Sequence, residues 1–302
     1  MSGEFAVLSR LAALLPRPAP PEVGIGDDAA VLRTPDGGWM LWAADAVVAG
    51  VHADLSLSGL DDLGWKAVAV NVSDITAMGG VPSHLLVTVA GPADTDLDLL
   101  YRGIAAAAAS WGCLVVGGDL ANAGCLVVTV AIAGSLPGAP ILRSGARPGD
   151  GIWVTGPLGL SAAGLRALKE MGKGAPGLAA ERHRRPCPSV AAGLAARVAG
   201  ASSMIDVSDG LLADLGHLAD ASGVGLDVDS VPVGEGATEE EALTGGEDFV
   251  LAFTAADDSA VSEAFTRLAP PVRIGTCLPD AGVRRVMGRH FPSIGGWEHQ
   301  WR

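Results

Sequence analysis

The sequence predicts a two-domain α/β (α+β) protein, and three observations support this fold class. The chain has 302 residues, 49% hydrophobic and 18% charged, which suffices for a large core and is more typical of two domains than of one. Both halves alternate strand-like and helix-like patterns. The densest turn-forming stretch, GSLPGAP over 134–140, separates these halves. We therefore predict domains at 1–138 and 139–302.

Apolar runs in the first domain predict its strands and helices in order. Strands are predicted near 29–32, 39–44, 114–116 and 125–132, and helices near 61–78 and 96–111. The last strand lies within an uncharged run, 120–142, long enough to raise the question of a membrane helix. Asn122, Ser135, Pro137 and Pro140 interrupt that run, so we interpret its middle as a buried strand.

The second domain shows the same alternation of patterns. Strands are predicted near 152–155, 203–207 and 249–254, and helices near 161–171, 189–198 and 211–221. No solenoid-type repeat is evident, and the 42 glycines are spread through the chain instead of forming a linker.

The charge balance excludes two classes of partner. Asp and Glu number 34 against 20 Lys and Arg, which gives a formal net charge of -14. Such a protein repels the phosphates of nucleic acids and the anionic surface of a membrane. If its substrates are themselves phosphates, bound cations must hold them against the carboxylates.

The cysteines and the first residues indicate a cytoplasmic protein. The four cysteines are widely spaced, without a Cys-x-x-Cys pair, so neither a zinc site nor a disulfide framework is predicted. The opening residues carry Glu4 and Arg10 among apolar residues, which is not the pattern of a secretory signal.

Aspartates recur where apolar segments begin or end. These positions are of interest because functional groups of α/β proteins gather at the ends of strands. Any one of them could simply cap a helix or form a turn, but six such aspartates at four places favour a shared site. The residues concerned are Asp27, Asp28, Asp45, Asp119, Asp206 and Asp209.

Asp74 is the least readily explained of the carboxylates. It follows Leu63, Ala67 and Val70 at helical spacing, so it falls on the apolar stripe of its helix. It also lies toward the C-terminal end, where the helix dipole disfavours negative charge. A metal ion would resolve both problems, and a buried Lys or Arg partner is the alternative.

The segment 206–210, DVSDG, joins a strand to an amphipathic helix and so clusters carboxylates at a helix N-terminus. That is a good position for phosphate together with hard cations. The chain has neither a Walker A loop nor protein-kinase loops. If it handles ATP, it does so by carboxylates and magnesium.

Eight segments carry a family resemblance, in family order and spacing. They are GIGDDAA (24–30), Asp45 with GVH (50–52), GWKAVAVNVSD (64–74), GGD (117–119), LRSGARPGD (142–150), VTG (154–156), IDVSDG (205–210) and GGED (245–248). Together they closely resemble the thiamine-monophosphate kinase family, and the match runs from residue 3 almost to the C-terminus.

The resemblance implies a fold similar to that of aminoimidazole ribonucleotide synthetase. The N-terminal domain would bind ATP and magnesium and form a homodimer, and the C-terminal domain would complete the cleft. The implied reaction is direct transfer of the γ-phosphate of ATP, the co-substrate, to thiamine phosphate.

The resemblance also implies roles for individual residues, with Asp209, Asp119 and Arg143 as the catalytic group. The implied Mg2+ ligands are Asp28, Asp45, Asp74, Asp119, Asp206 and Asp209. The implied nucleotide contacts are Gly118, Asp119, Arg143 and Ser208. The implied contacts to thiamine phosphate are His52, Glu247 and Trp297. The residues themselves leave open a surface charge for Arg143, a solvated loop for His52 and terminal packing for Trp297.

Two alternative functions stay open at this point. One is another ATP-dependent enzyme of the same superfamily. The other is a non-catalytic paralogue that binds nucleotide or thiamine phosphate. Ala43 and Ala44 sustain the second, because the family usually has hydroxyl residues there that help to hold metal.

Overall fold

The computed structural model describes residues 4–290 and Gly296. The protein has two β-sheets, each packed with helices. The first unit comprises α1 (Glu4–Ala12), β1 (Ala30–Arg33), β2 (Trp39–Val48), α2 (Leu60–Ala77), β3 (Val81–Gly91), α3 (Leu97–Ser110), β4 (Leu114–Asn122) and β5 (Val127–Ser135). The second comprises β6 (Gly151–Val154), α4 (Leu160–Met171), α5 (Leu178–Arg184), α6 (Val190–Val198), β7 (Ser203–Asp206), α7 (Leu211–Ser222), β8 (Gly225–Val228), α8 (Glu239–Thr244), β9 (Leu251–Ala255), α9 (Asp258–Ala264), β10 (Val272–Leu278), β11 (Arg284–Val286) and β12 (Arg289–His290).

The first sheet has the strand order β1-β2-β5-β3-β4. Neighbouring strands are antiparallel except β3 and β4, which are parallel and joined through α3. Alternate residues of β5, namely Val128, Val130 and Ile132, are fully buried on the face that α2 covers. The opposite face leaves apolar side chains exposed, including Trp42 and Leu86.

The second sheet has the order β12-β11-β8-β10-β6-β9-β7. Its strands are antiparallel to their neighbours except where β11 runs parallel to β8. Strand β7 lies at one edge and ends at Asp206, directly before the loop that leads into α7. This edge faces the first unit, because β7 contacts α2.

Helix α2 is the element shared by the two units. It contacts β2, β3 and β5 of the first sheet, and also β7 and α6 of the second unit. Most of its residues are buried, around all of its faces. The predicted helix at 61–78 is thus confirmed, but it has no solvent-exposed side of the kind that an apolar stripe implies.

Arg197 of α6 fixes the connection between the units. Its guanidinium donates hydrogen bonds to the carbonyl oxygens of Met78 (3.0 Å), Gly79 (3.0 Å) and Ala139 (2.5 Å). The first two carbonyls belong to the end of α2 and the third to the segment between the sheets. A cation is favourable there because carbonyls at a helix C-terminus lack partners within the helix.

The α/β fold class and every helix and strand predicted from the sequence are confirmed, with ends that differ by up to six residues, as for the strand predicted at 114–116, which extends to Asn122. The change from one sheet to the other falls between Ser135 and Gly151. The boundary at 138/139 stays a prediction. Within the described residues, no helix combines the length and apolarity that a membrane crossing requires.

Candidate active site

Three carboxylates from distant parts of the chain converge between the two units. Asp28 precedes β1, Asp74 lies on α2, and Asp206 ends β7. One carboxylate oxygen from each lies within 4.8 Å of the others. Ser73 Oγ donates a 2.5 Å hydrogen bond to Asp206 Oδ2, which holds that side chain against α2.

Burial governs the electrostatics of this cluster. It raises the pKa of Asp206 to about 7, with the charge of Asp28 as a further cause. It raises the pKa of Asp74 well above its ordinary value, and the charges of Asp45 and Asp206 add to that effect. Three such carboxylates cannot all remain charged without a nearby cation.

Arg143 supplies one cation at the edge of the cluster. Its Nη2 lies 2.6 Å from Asp28 Oδ1, and its backbone N–H donates to the carboxylate of Asp27 at 3.1 Å. The Arg143 side chain is only 20% exposed, so it is not the solvated surface charge that the sequence left open. Burial and the charge of Asp28 raise the pKa of Asp27 to about 7.

The cluster fits a hard divalent cation. Asp28 Oδ2 is buried and has no hydrogen-bond partner among the described residues, so one oxygen is available for a ligand. The three side chains offer only carboxylate oxygens, the donors that magnesium prefers. A single arginine leaves most of the negative charge of the cluster uncompensated.

Asp45 and Asp209 lie near this cluster. The Asp45 charge acts on Asp74, and the Asp209 charge acts on Asp206. The Asp45 backbone N–H donates to Asn71 Oδ1 at 3.0 Å, which ties β2 to α2 beside Asp74.

The structure does not bring Asp119 into the cluster. Asp119 is exposed on β4, in register with Thr88 of β3, and β4 lies three strands from β2. Its neighbour Gly118 has a φ of 152°, and a Cβ there would overlap the carbonyl oxygen of Val87. Only glycine permits this approach of β4 to β3.

The loop after β7 is held by a buried acid. Asp214 Oδ2 accepts backbone N–H groups from Ser208 (3.1 Å), Asp209 (3.2 Å) and Gly210 (3.1 Å). Asp214 is 2% exposed. Ser208 and Asp209, predicted to contact nucleotide and metal, therefore have a fixed backbone.

The predicted contacts to thiamine phosphate lie in separate segments. His52 Nδ1 accepts a hydrogen bond from the backbone N–H of Val48 at 3.0 Å, so the other ring nitrogen carries the proton in the neutral form. The Glu247 carboxylate lies 3.0 Å from Lys66 Nζ. Trp297 lies outside the described residues, although its neighbour Gly296 is close to the Asp209 carbonyl.

Comparisons with known proteins agree with this architecture. Residues 26–136 match the family model for the AIR synthase related protein, N-terminal domain, and residues 147–287 match that for the C-terminal domain. A thiamine-monophosphate kinase from Mycobacterium tuberculosis (strain ATCC 25618 / H37Rv) is 37% identical over 312 residues, covering 98% of this chain and 91% of the relative. The chain belongs to the thiamine-monophosphate kinase family.

Further members of the thiamine-monophosphate kinase family show the same likeness. The enzyme from Bacillus subtilis (strain 168) is 37% identical over 255 residues, which is 78% of each chain. A solved structure described as AaThiL complexed with AMPPCP and TMP superposes with a TM-score of 0.86 at 30% identity, covering 98% of this chain and 97% of that one. The resemblance and the fold expected from it are thereby confirmed.

Several residues of the site were not predicted from the sequence. They are Ser73, Asp214, and the two residues beside the Glu247 carboxylate, Lys66 at 3.0 Å and His183 at 3.5 Å. Lys66 did carry a signal, since it is the only charged residue between Asp62 and Asp74 on an otherwise apolar helix. A lysine there requires a buried partner. The partner, Glu247, lies 181 residues away, so no local pattern could reveal the pair.

Proposed function

We propose that the protein is a thiamine-monophosphate kinase that transfers the γ-phosphoryl group of ATP to thiamine phosphate, giving thiamine diphosphate and ADP. The observation that carries the proposal is the cluster of Asp28, Asp74 and Asp206 beside Arg143. Members of the family are named for this activity, and one was solved with AMPPCP and TMP.

Magnesium is the cofactor that this cluster supports. It would be held by Asp28, Asp74 and Asp206. The neighbouring carboxylates are those of Asp45 and Asp209. Asp119 stays a ligand that is predicted only from the sequence resemblance. When bound, magnesium supplies the positive charge that neutralises phosphate oxygens.

Arg143 is suited to orienting the nucleotide phosphates. Its planar guanidinium offers several donors, and Asp28 fixes its orientation at 2.6 Å. The acceptor phosphate is already an anion, so no strong general base is needed at neutral pH. We therefore propose direct in-line transfer without a covalent enzyme intermediate, which predicts inversion of configuration at the transferred phosphorus.

His52, Glu247 and Trp297 are proposed to bind thiamine phosphate. The half-buried Glu247 carboxylate, 28% exposed, is a counter-charge for the cationic thiazolium ring. An indole at Trp297 could stack on that ring. Gly296, which precedes Trp297 in the sequence, lies close to the Asp209 carbonyl, and this proximity supports the proposal.

A homodimer and a cytoplasmic location complete the proposal. The face of the first sheet opposite α2 exposes Trp42 (37%), Leu86 (42%) and Leu114 (62%). Apolar side chains gathered on one uncovered face favour association with a second copy. The free cysteines are consistent with a reducing compartment.

The decisive test is an assay of the purified protein with ATP, magnesium and thiamine phosphate, with chromatographic detection of thiamine diphosphate and ADP. Equal amounts of both products are expected, and the Asp74→Asn variant should form them at least about 100-fold more slowly. Consumption of ATP only with a different acceptor would favour another enzyme of the superfamily. Binding of both substrates without turnover would favour the non-catalytic paralogue.

A further inference from the structure

Lys66 of α2 is a lysine in the protein interior. Its side chain is 2% exposed, and it is among the largest fully buried side chains of the described residues. A charged ammonium in such a position requires partners for each of its protons, because burial removes its hydration. Lys66 lies two turns before Asp74 on the same helix.

The ammonium group of Lys66 joins two segments that are far apart in sequence. Nζ lies 3.0 Å from both carboxylate oxygens of Glu247, in the second unit. It also donates to the carbonyl oxygen of His52, in the first unit, at 3.1 Å. These contacts involve the two described residues that are predicted to bind thiamine phosphate.

Glu247 adopts a backbone conformation that needs such support. Its φ is 66°, in the left-handed region that non-glycine residues rarely occupy. Its backbone N–H donates to the Ser208 carbonyl at 2.7 Å, and the next residue, Asp248, accepts N–H groups from the start of α4. Strained residues of this kind persist where their surroundings fix them, and they concentrate at functional sites.

His183 does not supply the charge that balances Glu247. Its Nδ1 is 3.5 Å from Glu247 Oε2 and 3.0 Å from Ser161 Oγ. Burial, together with the positive charge of Lys66, lowers the pKa of His183 to about 4, so the imidazole is neutral at neutral pH. Lys66 is therefore the cation that sets the position of the Glu247 carboxylate.

We propose that Lys66 is a positioning residue for the acceptor site. It fixes Glu247 and the His52 segment relative to each other, so that both present their side chains to thiamine phosphate. Lys66 itself is too deeply buried to contact the substrate. The inference rests on the proposed function, in which His52 and Glu247 bind the acceptor.

The test compares Lys66→Met, Glu247→Gln and the double variant with the wild-type protein. Lys66→Met retains the unbranched apolar stem of the side chain but leaves the carboxylate without its cation. In Lys66→Met we expect the KM for thiamine phosphate to rise at least about tenfold and the KM for ATP to stay within about twofold of wild type. Calorimetric titration with thiamine phosphate alone should show the same loss of affinity.

The double variant distinguishes positioning from a general loss of stability. Because Lys66 and Glu247 act as one unit, its KM for thiamine phosphate should be no worse than that of either single variant. The double variant has neither charge of the pair, so no unpaired charge is buried. It can therefore be measured even if Lys66→Met fails to fold. Lys169→Met, at an exposed lysine whose charge also acts on His183, is the control and should match wild type.

Two results would overturn the proposal: an unchanged KM for thiamine phosphate in folded Lys66→Met, or effects of the single variants that add in the double variant. Either can be obtained while the wild-type enzyme turns over normally. Absence of thiamine diphosphate from the wild-type reaction would instead overturn the proposed function.

Discussion

At the scale of single residues, the cluster of Asp28, Asp74 and Asp206 combines a cost to stability with a proposed role in binding magnesium. The three carboxylates repel each other, and burial strengthens that repulsion. A residue that is retained only for packing would not be expected to destabilise its own surroundings. Function and stability should therefore change in opposite directions when one of these carboxylates is neutralised.

Asp74→Asn tests this opposition. We expect the variant to lose at least about 100-fold in kcat, since the site would hold magnesium less well. In magnesium-free buffer its Tm should be higher than that of wild type, because asparagine needs neither the buried charge nor the proton uptake that the crowded carboxylates require there. Asp98→Asn, at an exposed position on α3, should change neither quantity. Near-normal turnover by folded Asp74→Asn would contradict the assignment.

Asp248 should give the stability a defined pH dependence. Its carboxylate accepts N–H groups from Gly159 (2.5 Å) and Ser161 (3.0 Å), yet burial raises its pKa to about 6. The folded protein therefore binds this proton more tightly than the unfolded chain. Its stabilising contribution is complete below about pH 4 and is lost as the pH rises through 6.

The prediction is that wild type loses stability relative to Asp248→Asn by about 2 kcal/mol between pH 4 and pH 7. Urea unfolding of both proteins at several pH values measures the difference. Comparing the two proteins removes the contributions of the other titrating groups, which they share. Parallel curves across this range would show that Asp248 titrates as an ordinary exposed carboxylate.

At the scale of elements, the close contact of α2 with α3 depends on two glycines. A Cβ at Gly64 would overlap the carbonyl oxygen of Leu100, and one at Gly103 would overlap that of Asp61. Alanine at either position would stabilise the helix through its higher helix propensity, but the steric overlap would destabilise the protein by more. The backbones approach so closely only because neither helix carries a side chain at the crossing.

Gly103→Ala is expected to lower the free energy of unfolding by about 1–3 kcal/mol, as the helices must move apart. Because α2 carries Asp74, kcat should fall as well. Chemical denaturation and steady-state kinetics measure the two effects. Gly124→Ala is the control, since open space surrounds that glycine and its φ is not positive. Equal stability of the two variants would contradict close packing at Gly103.

The strands and helices with clear periodicity were predictable from the sequence, whereas β3 was not. Pro82 and His84 interrupt its alternation, and the ladder with β5 shifts register at that point. Strand β3 tolerates these residues because it pairs with both β4 and β5.

The candidate site was predictable only in part. Aspartates at segment ends indicated a shared carboxylate site, and Asp28, Asp74 and Asp206 do converge. Their convergence depends on contacts between the two units, which no local pattern encodes. The same holds for the hydrogen bonds to Asp214 and for the pairing of Lys66 with Glu247. The roles of the predicted residues stay predictions.

At the scale of the whole molecule, the exposed apolar face of the first sheet predicts a dimer that a single charge can disrupt. Leu86→Glu would bury a carboxylate without a partner if this face is the interface. We expect the variant to sediment as a monomer at concentrations where wild type is a dimer. Val198→Glu, on α6 at 77% exposure, should leave the dimer intact. A monomeric wild-type protein would contradict the prediction.

Helix α2 has a consequence for how the protein unfolds. Its residues are buried partly by the first sheet and partly by β7 and α6, so it cannot remain folded if either unit opens. Multidomain proteins often melt in separate steps, but here the core element belongs to both units. Scanning calorimetry should show one transition, with calorimetric and van't Hoff enthalpies in agreement; two resolved transitions would contradict this. Two domains in sequence would then be a single cooperative unit in thermodynamic terms.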